Sequence, residues 1–432
     1  MGLRIDAPAG EVGRSKVVIV GAGPSGLFAT QHLRRLTPDV EIDVIDRLPV
    51  PYGLIRYGVA ADHRGTKAVA RQFERLFERE DVGFFGNVLV GRDLGVSDLA
   101  ELYDAVVLAT GLSGDRRLGV PGEDLSGVYG SGTLTRWLNS HPDEVLLQPR
   151  IGPRVIILGN GNVAIDVARI LAKTPDELRA SDMHPERIAY LGVGGGREIK
   201  VVGRGAPHCA KFDPAMIKEL AALSDVRITV AWPDQLQPDQ NPVQMARMSA
   251  LRLIDGVGND QSRHRLHFSF NLTPRRMEGI GRVSGVVLEA KEQARSFLGG
   301  DCVVTAIGFR PDRNAPLPSR FTRELAVEID ERVFATGWFR RGATGTIAEN
   351  RHDARMVAEA LASKLRNGQR KGRDGLLALM RSRGTRWVDY NGWLRIRALE
   401  EAGKSQGIPR LKTSDLDELL AQAGREEMVG AQ

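Results

Sequence analysis

The chain has 432 residues, 42% of them hydrophobic and 26% charged, the mix of a soluble globular protein long enough for two domains. Its net charge of +6 fits a solvated basic surface or an acidic partner, and no arginine-rich tract or nucleic-acid motif favours nucleic acid. Two well-separated cysteines, Cys209 and Cys302, exclude a CxxC dithiol and read as small buried hydrophobes, and no apolar run or signal core predicts a membrane span or export, so a cytoplasmic protein is expected.

In chain order, Val17–Val20 reads as a buried strand running into Gly21-Ala-Gly-Pro-Ser-Gly26 and then a helix from about Ser25 to Leu36. A strand–glycine loop–helix unit of this kind cradles a pyrophosphate on backbone N–H groups and a helix N-terminus. A second strand, Glu41 to Ile45, ends at Asp46, about 20 residues after the loop, where a carboxylate meets a ribose hydroxyl. Residues 49–63 are rich in Pro, Gly and Tyr and predict a loop; a helix carrying Val69, Phe73, Leu76 and Phe77 follows. Ala105 to Leu108 is a buried strand that leads into Thr110-Gly111.

Val155–Leu158 then runs into a second fingerprint, Gly159-Asn-Gly-Asn-Val-Ala164, with a helical stretch over 163–171. The next strand, Ile199 onward, ends at Arg204 rather than an acid, which suits a 2′-phosphate. Residues 225–300 read as mixed short strands and loops. Strands are predicted at Cys302–Gly308 and Val333–Gly337, the latter leading into Trp338-Phe-Arg-Arg-Gly-Ala-Thr-Gly345. A helix over 350–366 and a charged helical tail follow, with Trp387 and Trp393 available to pack the tail down. Two dinucleotide units in one chain imply a flavin and a nicotinamide held face to face for hydride exchange.

The sequence resembles the adrenodoxin reductase family of NADPH–ferredoxin reductases. The resemblance is carried by the segments 20–26, 48–63, 86–91, 159–170 and 337–345 and runs essentially end to end. Most specific is Leu48-Pro-Val-Pro-Tyr-Gly-Leu-Ile-Arg-Tyr-Gly-Val-Ala-Ala-Asp-His63. It implies two Rossmann-like domains, a glutathione reductase-type two-domain flavoprotein of α/β class. The NADP domain, 113–311, would be inserted into a discontinuous FAD domain, 1–112 and 312–432.

By the same resemblance Gly21, Gly23, Pro24, Ser25, Gly26, Asp46, Arg47, Leu54, Gly111, Trp338, Gly345, Thr346 and Ile347 would contact FAD. Gly159, Asn160, Gly161, Asn162, Val163 and Arg204 would contact NADPH. His63 and Asp166 would sit near both rings and serve a proton path or position the nicotinamide. No metal is implied. The expected acceptor is an acidic iron–sulfur protein, a ferredoxin, docked by arginines such as Arg247, Arg252, Arg340 and Arg341.

Two departures stand out. The family's Gly-Arg-Arg-Gly-Pro is here Gly203-Arg-Gly-Ala-Pro207, so a second arginine is missing at Gly205, and NADH is possible beside NADPH. Lys200, His208 and Lys211 are candidates to compensate. Ala343 stands where the family often has proline. Two other function classes fit the same residues: a flavoprotein reducing a small molecule such as a quinone directly, and a non-catalytic flavoprotein subunit.

Overall fold

The computed structural model describes residues 13–193, 195–233, 241–290, 293–311, 326–345, 347–366, 368–402 and 409–424. In chain order the strands are β1 (Lys16–Val20), β2 (Glu41–Ile45), β3 (Gly83–Phe85), β4 (Ala105–Leu108), β5 (Gly114–Asp115) and β6 (Val128–Gly130). Then come β7 (Arg154–Leu158), β8 (Glu198–Val202), β9 (Val226–Val230), β10 (His264–Ser269), β11 (Leu272–Ile280) and β12 (Arg282–Ala290). The last are β13 (Arg295–Gly299), β14 (Cys302–Thr305), β15 (Phe309–Arg310), β16 (Glu328–Asp330) and β17 (Val333–Ala335).

Two six-stranded sheets form the frame, in the orders β16-β17-β4-β1-β2-β3 and β6-β14-β7-β8-β10-β9. All pairings are parallel except β16 with β17. The central strands are apolar runs because both faces are covered, by helices on either side of the first sheet and by helices on one side and β11 and β12 on the other side of the second: Val17, Val18, Ile19, Val106, Ile156 and Ile157 are all buried. The first sheet takes strands from both ends of the chain, and the second takes only strands between residues 128 and 305. Where the chain passes between them, β5 and β15 pair antiparallel, so outgoing and returning segments hold one another.

Several local expectations change. The segment 49–63 contains a short helix, Gly53–Tyr57, and is not loop throughout. Residues 225–300 hold a full helix, Pro242–Ile254, and nine-residue strands β11 and β12 in an antiparallel three-stranded sheet with β13. The helix expected over 350–366 starts earlier and spans Ile347–Lys364. The tail is helical at Gly372–Ser382, Tyr390–Glu401 and Leu416–Gln422, with Trp393 fully buried. Cys302 is buried as expected and its thiol is pushed up to about 12 by burial, but Cys209 is exposed.

Candidate nucleotide-binding site

Both glycine loops end β-strands at helix N-termini. At the first, Gly21 has φ +116°, and a Cβ there would fall 2.5 Å from the Ala109 carbonyl oxygen. A Cβ on Gly26 would fall 2.0 Å from the Gly21 oxygen, so the helix Pro24–Leu36 can lie this close to β1 only without one. Gly23, by contrast, faces open space. That helix has no side-chain cap and no acid in its first turn. The helix Asn162–Ala172 after the second loop is the same: Gly161 at its cap, no side-chain cap and no first-turn acid. Two helix starts with no side-chain cap and no acid in the first turn fit a pyrophosphate each.

The segment 48–63 folds onto the first loop. Tyr52 donates its N–H to the Ala22 oxygen at 2.8 Å, and a Cβ on Gly53 would lie 3.0 Å from the Gly23 Cα. This sets Leu54, half-buried, beside the loop. Asp46 accepts the Ala22 N–H at 2.7 Å and the Leu48 N–H at 2.9 Å, so the acid ties the glycine loop to the segment that follows β2. Burial pushes its pKa up against those two bonds. Arg47 makes a two-pronged ion pair with Asp143, at 3.0 and 2.7 Å.

On the far side of the loop, Gly337 has φ +68° and its Cα packs on Ser25, where a Cβ would strike the Ser25 Oγ at 2.0 Å. Trp338 is thereby set near the helix start; it stacks on Phe309 at 5.4 Å and donates Nε1–H to the Thr344 oxygen at 3.1 Å. Gly111 and Gly345 both have left-handed φ, +67° and +84°, and Ile347 opens the helix that packs along Pro24–Leu36. Thr346 lies outside the described residues. Arg340 and Arg341, expected to dock a partner, turn inward instead: Arg340 pairs with the buried Asp353, and Arg341 donates to the Asn350 Oδ1 at 2.8 Å. Arg252 stays exposed on the helix Pro242–Ile254 and Arg247 is half-buried there.

His63 joins the two halves. Its Nε2 lies 3.1 Å from the Glu219 Oε2, and its Nδ1 lies 3.7 Å from the Asp166 Oδ1 on the second glycine-loop helix. Arg169 donates to that Asp166 oxygen at 2.7 Å and also pairs with Asp62; Lys173 reaches Asp62 at 2.6 Å. Burial alone would push Asp62 up, but Arg169 and Lys173 hold its carboxyl below the usual range. For Asp166 burial prevails and its pKa is raised. Asp62, Arg169 and Glu219 were not singled out in the sequence. Asp62 adjoins His63 and Arg169 stands one turn after Asp166, so both had a local signal; Glu219, 156 residues from His63, had none.

At the second loop Asn162 caps Asp213 through its Oδ1 (2.7 Å), and Lys211 donates its N–H to the Asn160 oxygen at 3.3 Å. Gly159 has φ +125° and packs on Ala306, while Val163 lies half-buried in the first helical turn. Arg204 is exposed two residues beyond β8 and has no ion pair among the described residues. Of the three side chains that could compensate for Gly205, Lys200 is engaged by Glu198 at 2.9 Å and His208 is buried, whereas Lys211 is exposed beside the loop.

The family model described as pyridine nucleotide-disulphide oxidoreductase matches residues 15–231. The chain belongs to that family. It is 38% identical over 419 residues to the cindoxin reductase of Citrobacter braakii, covering 95% of this chain and 91% of that one. It is 31% identical to the mitochondrial NADPH:adrenodoxin oxidoreductase of Arabidopsis thaliana, with 94% and 95% covered. The solved structure of Mycobacterium tuberculosis FprA in complex with NADPH superposes with a TM-score of 0.88 at 31% identity, covering 95% of this chain and 99% of FprA. The family's name includes a disulphide, yet this chain's two cysteines stand 93 positions apart, one exposed and one buried, and form no redox dithiol. No helix among the described residues is long and apolar enough to cross a membrane.

Proposed function

We propose that this chain is an FAD-dependent ferredoxin–NADP reductase, which takes a hydride from NADPH and passes electrons singly to an acidic iron–sulfur protein. The reading is carried by one observation: His63, on the segment folded over the first glycine loop, reaches Asp166 on the helix of the second. The names of its relatives, cindoxin reductase and NADPH:adrenodoxin oxidoreductase, support a reductase activity. Bound FAD supplies the conversion of a two-electron hydride into single electrons.

The chain's own residues then have distinct tasks. The loop 21–26 holds the FAD pyrophosphate on the uncapped helix start, with Asp46 at the adenosine ribose beyond it. Arg47 braces this site through Asp143. Leu54, Gly111, Trp338, Gly345 and Ile347 border the flavin ring. The loop 159–163 holds the NADPH pyrophosphate and Arg204 its 2′-phosphate. His63, between Glu219 and Asp166, holds a proton at Nε2 and orients the nicotinamide. The FAD unit comprises 1–112 and 312–432 and the NADP unit 113–311, a division supported by the strand membership of the two sheets. Its two unpaired cysteines suit the reducing cytoplasm.

The test is anaerobic stopped-flow mixing of the holoenzyme with NADPH and, separately, NADH, followed by re-oxidation with an acidic ferredoxin. Flavin bleaching by NADPH and rapid recovery with ferredoxin are expected. Bleaching with recovery only by a quinone would replace this reading with direct small-molecule reduction, and no bleaching would leave a non-catalytic subunit.

A further inference from the structure

At the opposite end of the first glycine-loop helix from the cofactor sits a cleft of about 490 Å³, a volume typical of small-molecule sites. Its charged lining is Arg14, Arg34, Arg35, Arg75 and Arg79 against one acid, Glu80. Two of these side chains are in ion pairs: Arg75 with Glu80 at 2.9 Å, and Arg14 with Asp81 at 3.9 Å as well as bonded to backbone carbonyls. Arg35 and Arg79 are exposed and have no hydrogen-bond or ion-pair partner among the described residues. Arg34 gives Nη1 to the Pro38 and Val40 oxygens at 2.7 and 2.6 Å, while its Nε and Nη2 are buried with no hydrogen-bond partner among the described residues. Burial and the neighbouring Arg14 push the Arg34 pKa down, and Glu80 and Asp81 offset this only in part.

Arginines in the last turn of a helix complement its dipole, and that accounts for Arg34 and Arg35. It does not account for Arg14, which precedes β1, or for Arg75 and Arg79, which come from the helix Arg71–Arg79. Three separate elements converge guanidinium groups on one concavity, and buried charged donors left unpaired are costly without an acceptor. Guanidinium forks match phosphoryl oxygens two at a time. Arg34 is ten residues along the helix from Pro24, about 15 Å at 1.5 Å per residue, so the cleft is separate from the first phosphate loop.

We propose that this cleft binds a small polyphosphate anion, distinct from FAD and the nicotinamide. Concavity favours a small ligand over the flat acidic face of a protein partner. The test uses holoenzyme saturated with NADP⁺, which fills the nicotinamide loop, titrated calorimetrically with sodium pyrophosphate at fixed ionic strength. One further equivalent should bind. Arg35→Gln/Arg79→Gln, which changes two exposed side chains, should weaken it about tenfold or more with the flavin spectrum unaltered. Arg35→Gln alone should give part of that loss, and Arg179→Gln, an exposed arginine elsewhere, should give none. Absence of binding beside NADP⁺, unchanged affinity in the double variant, or equal affinity for sulfate would overturn the proposal. So would a double variant that loses affinity for an acidic ferredoxin while keeping its pyrophosphate.

Discussion

Beyond the end of β8, Arg204 is exposed with no ion pair among the described residues, and position 205 beside it carries no side chain. Geometry does not require glycine there. The φ of Gly205 lies outside the left-handed region, and an added Cβ would meet only the Cys209 Cβ at 3.5 Å, an ordinary contact. A second guanidinium at 205 can therefore reach the ground next to Arg204. Gly205→Arg should raise the ratio of kcat/KM for NADPH over NADH by roughly tenfold to a hundredfold, the worth of one charge-assisted contact to a phosphate. Flavin-reduction kinetics with both nucleotides measure it; an unchanged ratio would mean that the 2′-phosphate is bound elsewhere. Asp46 and Arg204 were legible as strand-end residues, because each stands just past the second strand of its βαβ unit. Glu219 was not, because its place against His63 depends on how two distant segments pack.

At the scale of elements, the tail helix Tyr390–Glu401 fixes the segment 48–63. Trp393 packs edge-on to Tyr52 at 5.9 Å and lies under the Arg56 guanidinium. Arg56 and Glu400 form a bidentate pair, 2.9 Å on one prong, with side chains 2% and 0% exposed. Removing one partner of such a pair strands a buried charge, whereas replacing both with apolar groups does not. Glu400→Ala should destabilise the holoenzyme by about 3–5 kcal/mol, and Arg56→Met/Glu400→Leu by clearly less. Urea unfolding followed by flavin release reads both; a double variant as unstable as the single would show that the pair contributes specific attraction beyond charge neutralisation. The tail's helicity and Trp393 as a packing residue were readable in the sequence, but the partner of Glu400 was not. The helix Pro242–Ile254 was missed although Asn241 caps it, accepting the Gln244 N–H at 3.0 Å, and Pro242 occupies its first turn. Its buried face is only Met248, Ala250, Leu251 and Ile254, too sparse to show a clear 3.6-residue period.

Across the whole molecule, the two sheets are joined by a buried polar joint as well as by β5 and β15. Lys67, from the segment after His63, and Lys412, from the tail, converge on Asp182 at 2.8 and 3.0 Å. Lys67 also reaches the Asn139 Oδ1 at 2.5 Å, and Asn139 donates to the Val59 oxygen at 3.1 Å. Asp182 and Asn139 belong to the stretch that builds the second sheet; Lys67 and Lys412 flank the first. Burial pushes the Asp182 carboxyl up, but Lys412 and Lys67 outweigh it and hold the pKa at about 2, against 3.8 ordinarily. Because the folded value is the lower one, the carboxylate's contribution is fully present above about pH 4 and is lost as pH falls from 3.8 toward 2. A shift of this size corresponds to about 2 kcal/mol. Asp182→Asn should therefore cost roughly that much at pH 7 and little near pH 2, so wild-type and variant unfolding curves converge on acidification. Curves that stay parallel between pH 5 and 2.5 would refute a charged joint. The same joint lies one residue from Asp62 and two from His63, since the Asp182 N–H donates to the Ala61 oxygen at 3.1 Å. Loosening it should accordingly slow flavin reduction by NADPH before it releases FAD, because Ala61 and His63 sit on the bridge between the halves while the first glycine loop is held independently by Asp46.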